Sequence, residues 1–366
     1  MHVTATAVVD LDDTEGLLAA DRHGLLRAAS MAGAQVRATA SALDEGDLDS
    51  VRSDAPPRTV VWVAGRGTAA TAGSMLAAVL GGSLSAPIVV ATEAPPWIGA
   101  LDVLIVAGDD PADPALVTAA ATAVRRGARV VVVAPYEGPL RDATAGRSVA
   151  LPPRLPVPDD FTLARYLAAG LAALQVIAPG VRVDLAALAD DLDAEAFRNS
   201  AARELFTNPA KELSQRMLDR DVVFAGDSPA TLTLARHACT VMLRVAQETV
   251  AAVGLADVLV ALGSGWGRAS SEVSIFHDEE LDGPVPQRAR TIVLTSDEDR
   301  PAVSARLRGF DDVSVLSAND VPELGGVGEE GPGSKTMPGT SRPEQQLALM
   351  AVRLEMAAVY QRLIRG

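Results

Sequence analysis

The sequence predicts an α/β protein of two tandem, doubly wound parallel-sheet domains, each a three-layer α/β/α arrangement. Three observations predict it. Val60-Val-Trp-Val-Ala64 is a short apolar run, followed by the turn Gly65-Arg-Gly-Thr68 and an Ala-rich helical segment through Leu80. The same order returns as Asp221-Val-Val-Phe-Ala225, Gly226-Asp-Ser-Pro229 and a helical run from Ala230. The apolar runs are continuous instead of alternating, as strands covered on both faces are, which points to parallel sheets. A strand, a tight glycine turn and a helix N-terminus in that order make an anion cradle, because the first helical N–H groups have no partners within the helix.

Taken in order, residues 1–55 form an N-terminal helical segment, with one helix from Thr14 to about Met31 and an acidic connector up to Pro56-Pro57. The first domain, 56–158, takes its strands from Val60–Ala64, Ile88–Ala91, Val103–Ala107 and Val130–Ala134, with helical segments between them. The helix from about Pro114 to Arg126 stops at Gly127, and Arg125 and Arg126 in its last turn complement the helix dipole. Pro-rich Leu151–Pro158 closes this domain. A helical connection, 159–210, carries Phe161–Ile177 and Leu185–Ser200, and a further helix is expected at Ala210–Leu218. The second domain, 211–343, repeats the first: Val222–Ala225, Val258–Leu262, Thr291–Thr295 and Val313–Leu316 answer the four earlier strands in turn. A repeat this long is two similar domains, not a solenoid. Gly, Pro, Glu and Ser dominate 322–343, which is expected to be a mobile loop. The segment 344–366 closes the chain with a docking helix, Glu344 to Ile364.

A chain of 366 residues suits two domains, and at 48% hydrophobic but 3% aromatic its cores must be built from Ala, Val and Leu. The Ala/Val/Arg/Asp/Gly bias is that of a GC-rich bacterial coding sequence. A net charge of -15 disfavours nucleic-acid and anionic-membrane partners. It still permits a small phosphorylated ligand, since distant charge is screened over roughly 8 Å at physiological salt. Cys239 is the sole cysteine, so no intrachain disulfide forms, and with neither a leader pattern nor a membrane-length apolar stretch the expected location is cytoplasmic. No Cys/His cluster suggests a metal, and no cofactor is expected. The acidic runs Asp109-Asp110, Asp190-Asp191 and Asp278-Glu-Glu280 read as solvated faces or caps, and His237 as core or surface.

Five places carry a family likeness: Val60–Gly73, Ala94-Pro-Pro-Trp-Ile98, Arg125-Arg-Gly-Ala128, Asn208-Pro-Ala-Lys211 and Arg353-Leu-Glu-Met-Ala-Ala-Val-Tyr360. In their order and spacing, over residues 55–366, the chain resembles the SIS (sugar isomerase) superfamily. Within it, the likeness is to the bacterial and archaeal bifunctional phosphoglucose/phosphomannose isomerases. The resemblance implies a homodimer and a sugar-phosphate ligand.

It also implies where the functional residues should stand. The family's Ser-Gly-Asn-Thr phosphate turn falls on Asp110-Pro-Ala-Asp113, where two carboxylates replace two hydroxyls. A carboxylate about 4 Å from a phosphate charge costs roughly 4 kcal/mol at an effective dielectric of 20. A helix N-terminus returns only about 0.3–2 kcal/mol. The other reading of Asp110 and Asp113 is as helix caps, with Pro111 or Pro114 at the first helical position. In the first turn, Gly65 and Gly67 admit an anion to the backbone, Thr68 can donate, and Arg66 supplies positive charge; otherwise it is a plain turn with Arg66 in solvent. Family catalysis uses a histidine to open the sugar ring and a glutamate to move a proton between C1 and C2. Glu248, in Arg244-Val-Ala-Gln-Glu-Thr, and His277, in Ile275-Phe-His-Asp-Glu-Glu280, are the matching candidates. Their bland alternatives are a solvated helix glutamate and a surface-loop histidine. The family's arginine, expected before Tyr166, has Arg154 and Arg165 as displaced candidates. Two functions follow. The first is a divergent member with weak or lost isomerase activity that binds a sugar phosphate or contacts another sugar-phosphate enzyme. The second is an active isomerase of glucose 6-phosphate and mannose 6-phosphate using Glu248 and His277.

Overall fold

A computed structural model describes residues 9–53, 55–178, 180–266, 289–320 and 342–365. The chain divides into two units: Arg27–Phe197, the first unit, and Met1–Leu26 together with Arg198–Gly366, the second.

Among the described residues three α-helices precede the first sheet: α1 (Thr14–Ala20), α2 (Leu25–Ala29) and α3 (Ala32–Asp44). The single helix expected from Thr14 to Met31 is thus broken. Asp21 breaks it: its carboxylate accepts from the backbone N–H of Leu25 (2.7 Å) and Leu26 (2.9 Å), so it opens a new helix instead of continuing the old one. The expected acidic connector is largely α3, whose buried face is mostly small or polar, Ala32, Gly33, Gln35 and Thr39 beside Val36.

The first unit holds strands β1 (Val60–Ala64), β2 (Ile88–Ala91), β3 (Val103–Ala107), β4 (Arg129–Val133) and β5 (Val149–Ala150), in the order β2-β1-β3-β4-β5, all parallel. Helices α4 (Gly67–Leu80), α5 (Pro114–Arg125), α6 (Gly138–Thr144), α7 (Leu163–Ile177) and α8 (Leu185–Arg198) complete it. Side chains alternate across the sheet. Val61, Val63, Leu104, Val106, Val130 and Val132 pack with Leu116 and Ala120 of α5 into one core. Trp62 takes the opposite face, its ring against Gly73 of α4 and Gly170 of α7. No helix joins β2 to β3, contrary to expectation; Pro95, Pro96 and Gly99 in that connection are helix breakers.

The second unit holds α9 (Pro209–Met217), β6 (Asp221–Gly226), α10 (Pro229–Val241), β7 (Ala251–Gly254), α11 (Leu255–Gly263), β8 (Ala289–Leu294), α12 (Arg300–Arg306), β9 (Val313–Leu316) and α13 (Pro343–Arg365). Among the described residues its parallel sheet runs β7-β6-β8-β9, the order of the first four strands of the first sheet, β2-β1-β3-β4. The strand expected at Val258–Leu262 is instead helix α11. Leu255, Val258 and Leu262 bury one helical face while Val260 stays 71% exposed, and the edge strand is the preceding Ala251–Gly254. A short apolar run fits either period, and here the helical one wins. Closing helix α13 is buried along most of its length. The expected loop 322–343 lies outside the described residues except for its last two positions.

A hydrogen-bonded knot ties this second unit together around Lys211. Its fully buried ammonium donates to the carbonyls of Ala201 (2.9 Å) and Arg203 (2.6 Å), and Asn208 caps α9 by accepting from the Lys211 N–H. Tyr360 of α13 donates to the Asn199 carbonyl at 2.6 Å. Burial lowers the Lys211 pKa from its ordinary 10.5, against the pull of Asp12 and Asp10. Between the lowered value and 10.5 the unfolded chain holds a proton that the folded chain has lost, so stability rises with pH through that window and levels off above it. Urea unfolding from neutral to alkaline pH should show this rise. It should be weaker in Lys211→Met, which has no amine to titrate.

Candidate functional site

In an open sheet of order 2-1-3, ligands bind beyond the carboxyl ends of the two strands where the winding reverses. In the first unit these are β1 and β3, and the turns beyond them hold most of the residues singled out above. Gly65 and Arg66 are exposed. Gly67 has φ +66°, a left-handed conformation, and a Cβ there would meet nothing within 4 Å. Arg66 is the N-cap of α4 but gives no side-chain cap, leaving the first N–H groups of a 14-residue helix free of that partner. Arg66 has no ion pair among the described residues. Thr68, by contrast, is turned inward: its hydroxyl lies 2.7 Å from that of Thr162 and donates to the Asp159 carbonyl at 3.3 Å. Both bonds tie the turn to the segment before α7.

The turn beyond β3 carries the acids. Asp113 caps α5, its Oδ1 accepting from Ala115 N at 2.8 Å with Pro114 at the first helical position. Asp110 accepts from Ala112 N at 2.8 Å. Asp113 therefore does the work of a cap, and Asp110 braces the turn before it. Asp113 also faces across the crevice: its Oδ2 lies 3.1 Å from where a Gly65 Cβ would be. The Asp113 carboxylate thus stands beside Gly65, the residue before exposed Arg66.

Behind it sits a cluster that the sequence did not announce. Tyr166 donates to Asp109 Oδ1, Arg165 pairs with the same oxygen at 3.4 Å, and the Arg165 guanidinium stacks over the Tyr166 ring at 4.2 Å. Burial pushes the Tyr166 hydroxyl far above its ordinary pKa, with Arg165 opposing and Asp109 reinforcing, so it stays a donor. Asp109 is thus a hydrogen-bonded acceptor while it stays exposed to solvent, as expected. Arg154, the other displaced candidate, pairs with Glu45 and Asp47.

The second unit's equivalent crevice lies beyond β6 and β8, and a carboxylate fills it. Asp227 accepts from the Thr231 hydroxyl at 2.7 Å and from the Thr295 hydroxyl across the two strand ends. Ser228 and Thr231 form a reciprocal capping box on α10. The hydroxyls that could hold a phosphate here hold an aspartate.

Glu248 lies just past the helix expected to carry it. Helix α10 runs into a π-turn, Met242–Ala246, and Gln247 ends it with φ 59°. The Glu248 side chain is 11% exposed, and its Oε1 lies 2.6 Å from Arg365 Nε. Burial raises its pKa; Arg365 opposes and Asp219 reinforces that shift. His277 falls outside the described residues. His237 is a core residue whose Nε2 lies 2.9 Å from Glu355 Oε1. Among the described residues no group of three or more His, Cys, Asp or Glu could hold a metal ion, and no helix is long and apolar enough to cross a membrane.

No family model and no curated protein matches the chain. Solved structures do. Tagatose-6-phosphate ketose/aldose isomerase from Escherichia coli aligns over 100% of this chain and 96% of its own, with a TM-score of 0.60 and 16% identity. A glucose-6-phosphate isomerase like protein from Thermus thermophilus aligns over 98% and 94%, with a TM-score of 0.54 and 21% identity. The C-terminal domain of glucosamine-fructose-6-phosphate aminotransferase from Francisella tularensis aligns over 94% and 96%, with a TM-score of 0.58 and 11% identity. The fold is that of these solved phosphosugar isomerases.

Proposed function

We propose that this chain is a divergent phosphosugar isomerase-like protein that binds a sugar phosphate or a related metabolite and interconverts aldose and ketose weakly or not at all. The observation that carries the reading is the carboxylate in each crevice: Asp113 opposite Gly65, and Asp227 holding Thr231 and Thr295. Each places negative charge or a competing acceptor where a phosphate would need donors. What remains for an anion is the Gly65–Gly67 turn, with its exposed arginine and the open start of α4. Homodimerisation, or contact with a working sugar-phosphate enzyme, belongs to the same proposal.

One observation favours the alternative, an active isomerase of glucose 6-phosphate and mannose 6-phosphate with Glu248 as base and His277 as ring opener. Burial lifts the Glu248 pKa in the direction a general base needs. Its pairing with Arg365 would first have to loosen.

Two measurements on purified protein separate these readings. A coupled assay with glucose, mannose and fructose 6-phosphates is expected to show little or no interconversion; turnover that disappears in Glu248→Gln supports the alternative instead. A thermal-shift panel of the same sugar phosphates is expected to stabilise the wild-type chain and to lose that shift in Arg66→Ala. An equal shift in both proteins removes the Arg66 turn from the proposal.

A further inference from the structure

The first unit contains a cavity between α3 and α7 whose lining includes Gln35, Thr39, Ala42, Leu151, Arg165 and Ala169. About 20 Å³ of it is open to the centre of a water molecule. That is room for one water-sized group and too little for a phosphate or carboxylate.

Two lining side chains bring polar atoms without partners. Gln35 is 3% exposed and Arg165 8% exposed; Oε1 of the first, and Nε and Nη1 of the second, have no hydrogen bond. The Gln35 amide is not free to turn over, because its Nε2 donates to the Phe161 carbonyl at 2.9 Å. Oε1 is therefore the end left over, and it is an acceptor. On Arg165, Nη2 goes to Asp109, so the remaining atoms are donors. Thr39 Oγ1 donates to the Gln35 carbonyl at 3.2 Å and keeps lone pairs to offer.

The missing group must donate to Gln35 Oε1 and accept from Arg165, a demand that a hydroxyl meets and an anion does not. Charge argues the same way. Arg165 already faces Asp109, and Arg154, also in the lining, faces Glu45 and Asp47. Three carboxylates surround two guanidiniums, and a further negative charge has nothing to neutralise.

We propose that this cavity is a hydroxyl seat, taking one neutral group that bridges Gln35 Oε1 and the Arg165 guanidinium: a water molecule or the terminal hydroxyl of a small polyol. The bridge joins α3 to α7 and holds Arg165 in the orientation from which it reaches Asp109.

High-resolution crystal structures of the full chain, one grown without polyol and one soaked in glycerol, test this directly. The expected result is a single group within hydrogen-bond distance of both Gln35 Oε1 and Arg165. Unchanged density in the two crystals identifies water, and elongated density in the second identifies a polyol. An empty seat in both, or Gln35 Oε1 bonded directly to Arg165, overturns the proposal. Thermal melts give an independent reading. Gln35→Met and Arg165→Met share one bridge, so the double variant should lose less Tm than the two single losses added together. Strict additivity counts against the seat.

Discussion

Asp113→Asn is expected to tighten the binding of glucose 6-phosphate by between about 5-fold and about 1000-fold. These bounds are the Coulomb energy of two unit charges about 4 Å apart, roughly 1 kcal/mol in water and roughly 4 kcal/mol at an effective dielectric of 20. The substitution isolates charge from architecture. Asn caps a helix about as well as Asp, so the bond from Ala115 N to Oδ1 survives and stability should hold within about 0.5 kcal/mol. What disappears is the negative oxygen facing Gly65. Calorimetric titration at low and at physiological salt measures the gain, which should shrink as salt screens it. Asp110→Asn is the control: this residue is exposed and bonds its own turn, so its effect should be smaller. An Asp113→Asn protein no tighter than wild type would mean that the phosphate does not sit at this crevice.

That crevice shows how much the sequence disclosed and where it stopped. The turns were legible because they follow strands covered on both faces. Val60–Ala64, Ile88–Ala91 and Val103–Ala107 form strands over the expected residues, since an unbroken apolar run between turn residues leaves little else to form. The capping role of Asp113 was legible too, from Asp followed directly by Pro; Asp110, the other candidate, braces a turn instead. Partners far along the chain were not. Asp109 meets Tyr166 across 57 positions, and Asp227 meets Thr295 across 68. Neither pair leaves a local pattern, so neither partner could be read from the residues around the acid. Helix α3 went unseen for a different reason. Val36 is the one large apolar residue on its buried face, the rest being Ala, Gly, Gln and Thr, so the apolar periodicity by which a helix is recognised is faint, and Gly33 lets it approach α8 closely enough that a Cβ would meet the Ala189 carbonyl at 2.6 Å.

Trp62→Ala is expected to cost the first unit about 3–5 kcal/mol, the range for truncating a buried aromatic. Trp62 is 1% exposed at the centre of β1, and its indole N–H donates to the Ala69 carbonyl at 3.0 Å. Two glycines make room for the ring: a Cβ at Gly73 would lie 2.3 Å from Cδ1, and one at Gly170 would lie 2.9 Å from Cζ3. Such glycines cost the helices about 1 kcal/mol each relative to alanine, a cost offset only while the indole fills the space they leave. Gly73→Ala alone should therefore destabilise by overpacking, by about 1–3 kcal/mol, despite its better helix propensity. Combined with Trp62→Ala, the same substitution places a methyl in the vacated space and should recover part of the loss. Urea melts of the two single variants and the double variant read this coupling. If the two losses simply add, the indole and Gly73 do not interlock. The packing reaches the site as well, because β1 ends at Ala64 and the Gly65–Gly67 turn begins one residue later. A strand that has lost its central anchor positions that turn less firmly, so Trp62→Ala should weaken the sugar-phosphate thermal shift even though the side chain lies in the core and not in the turn.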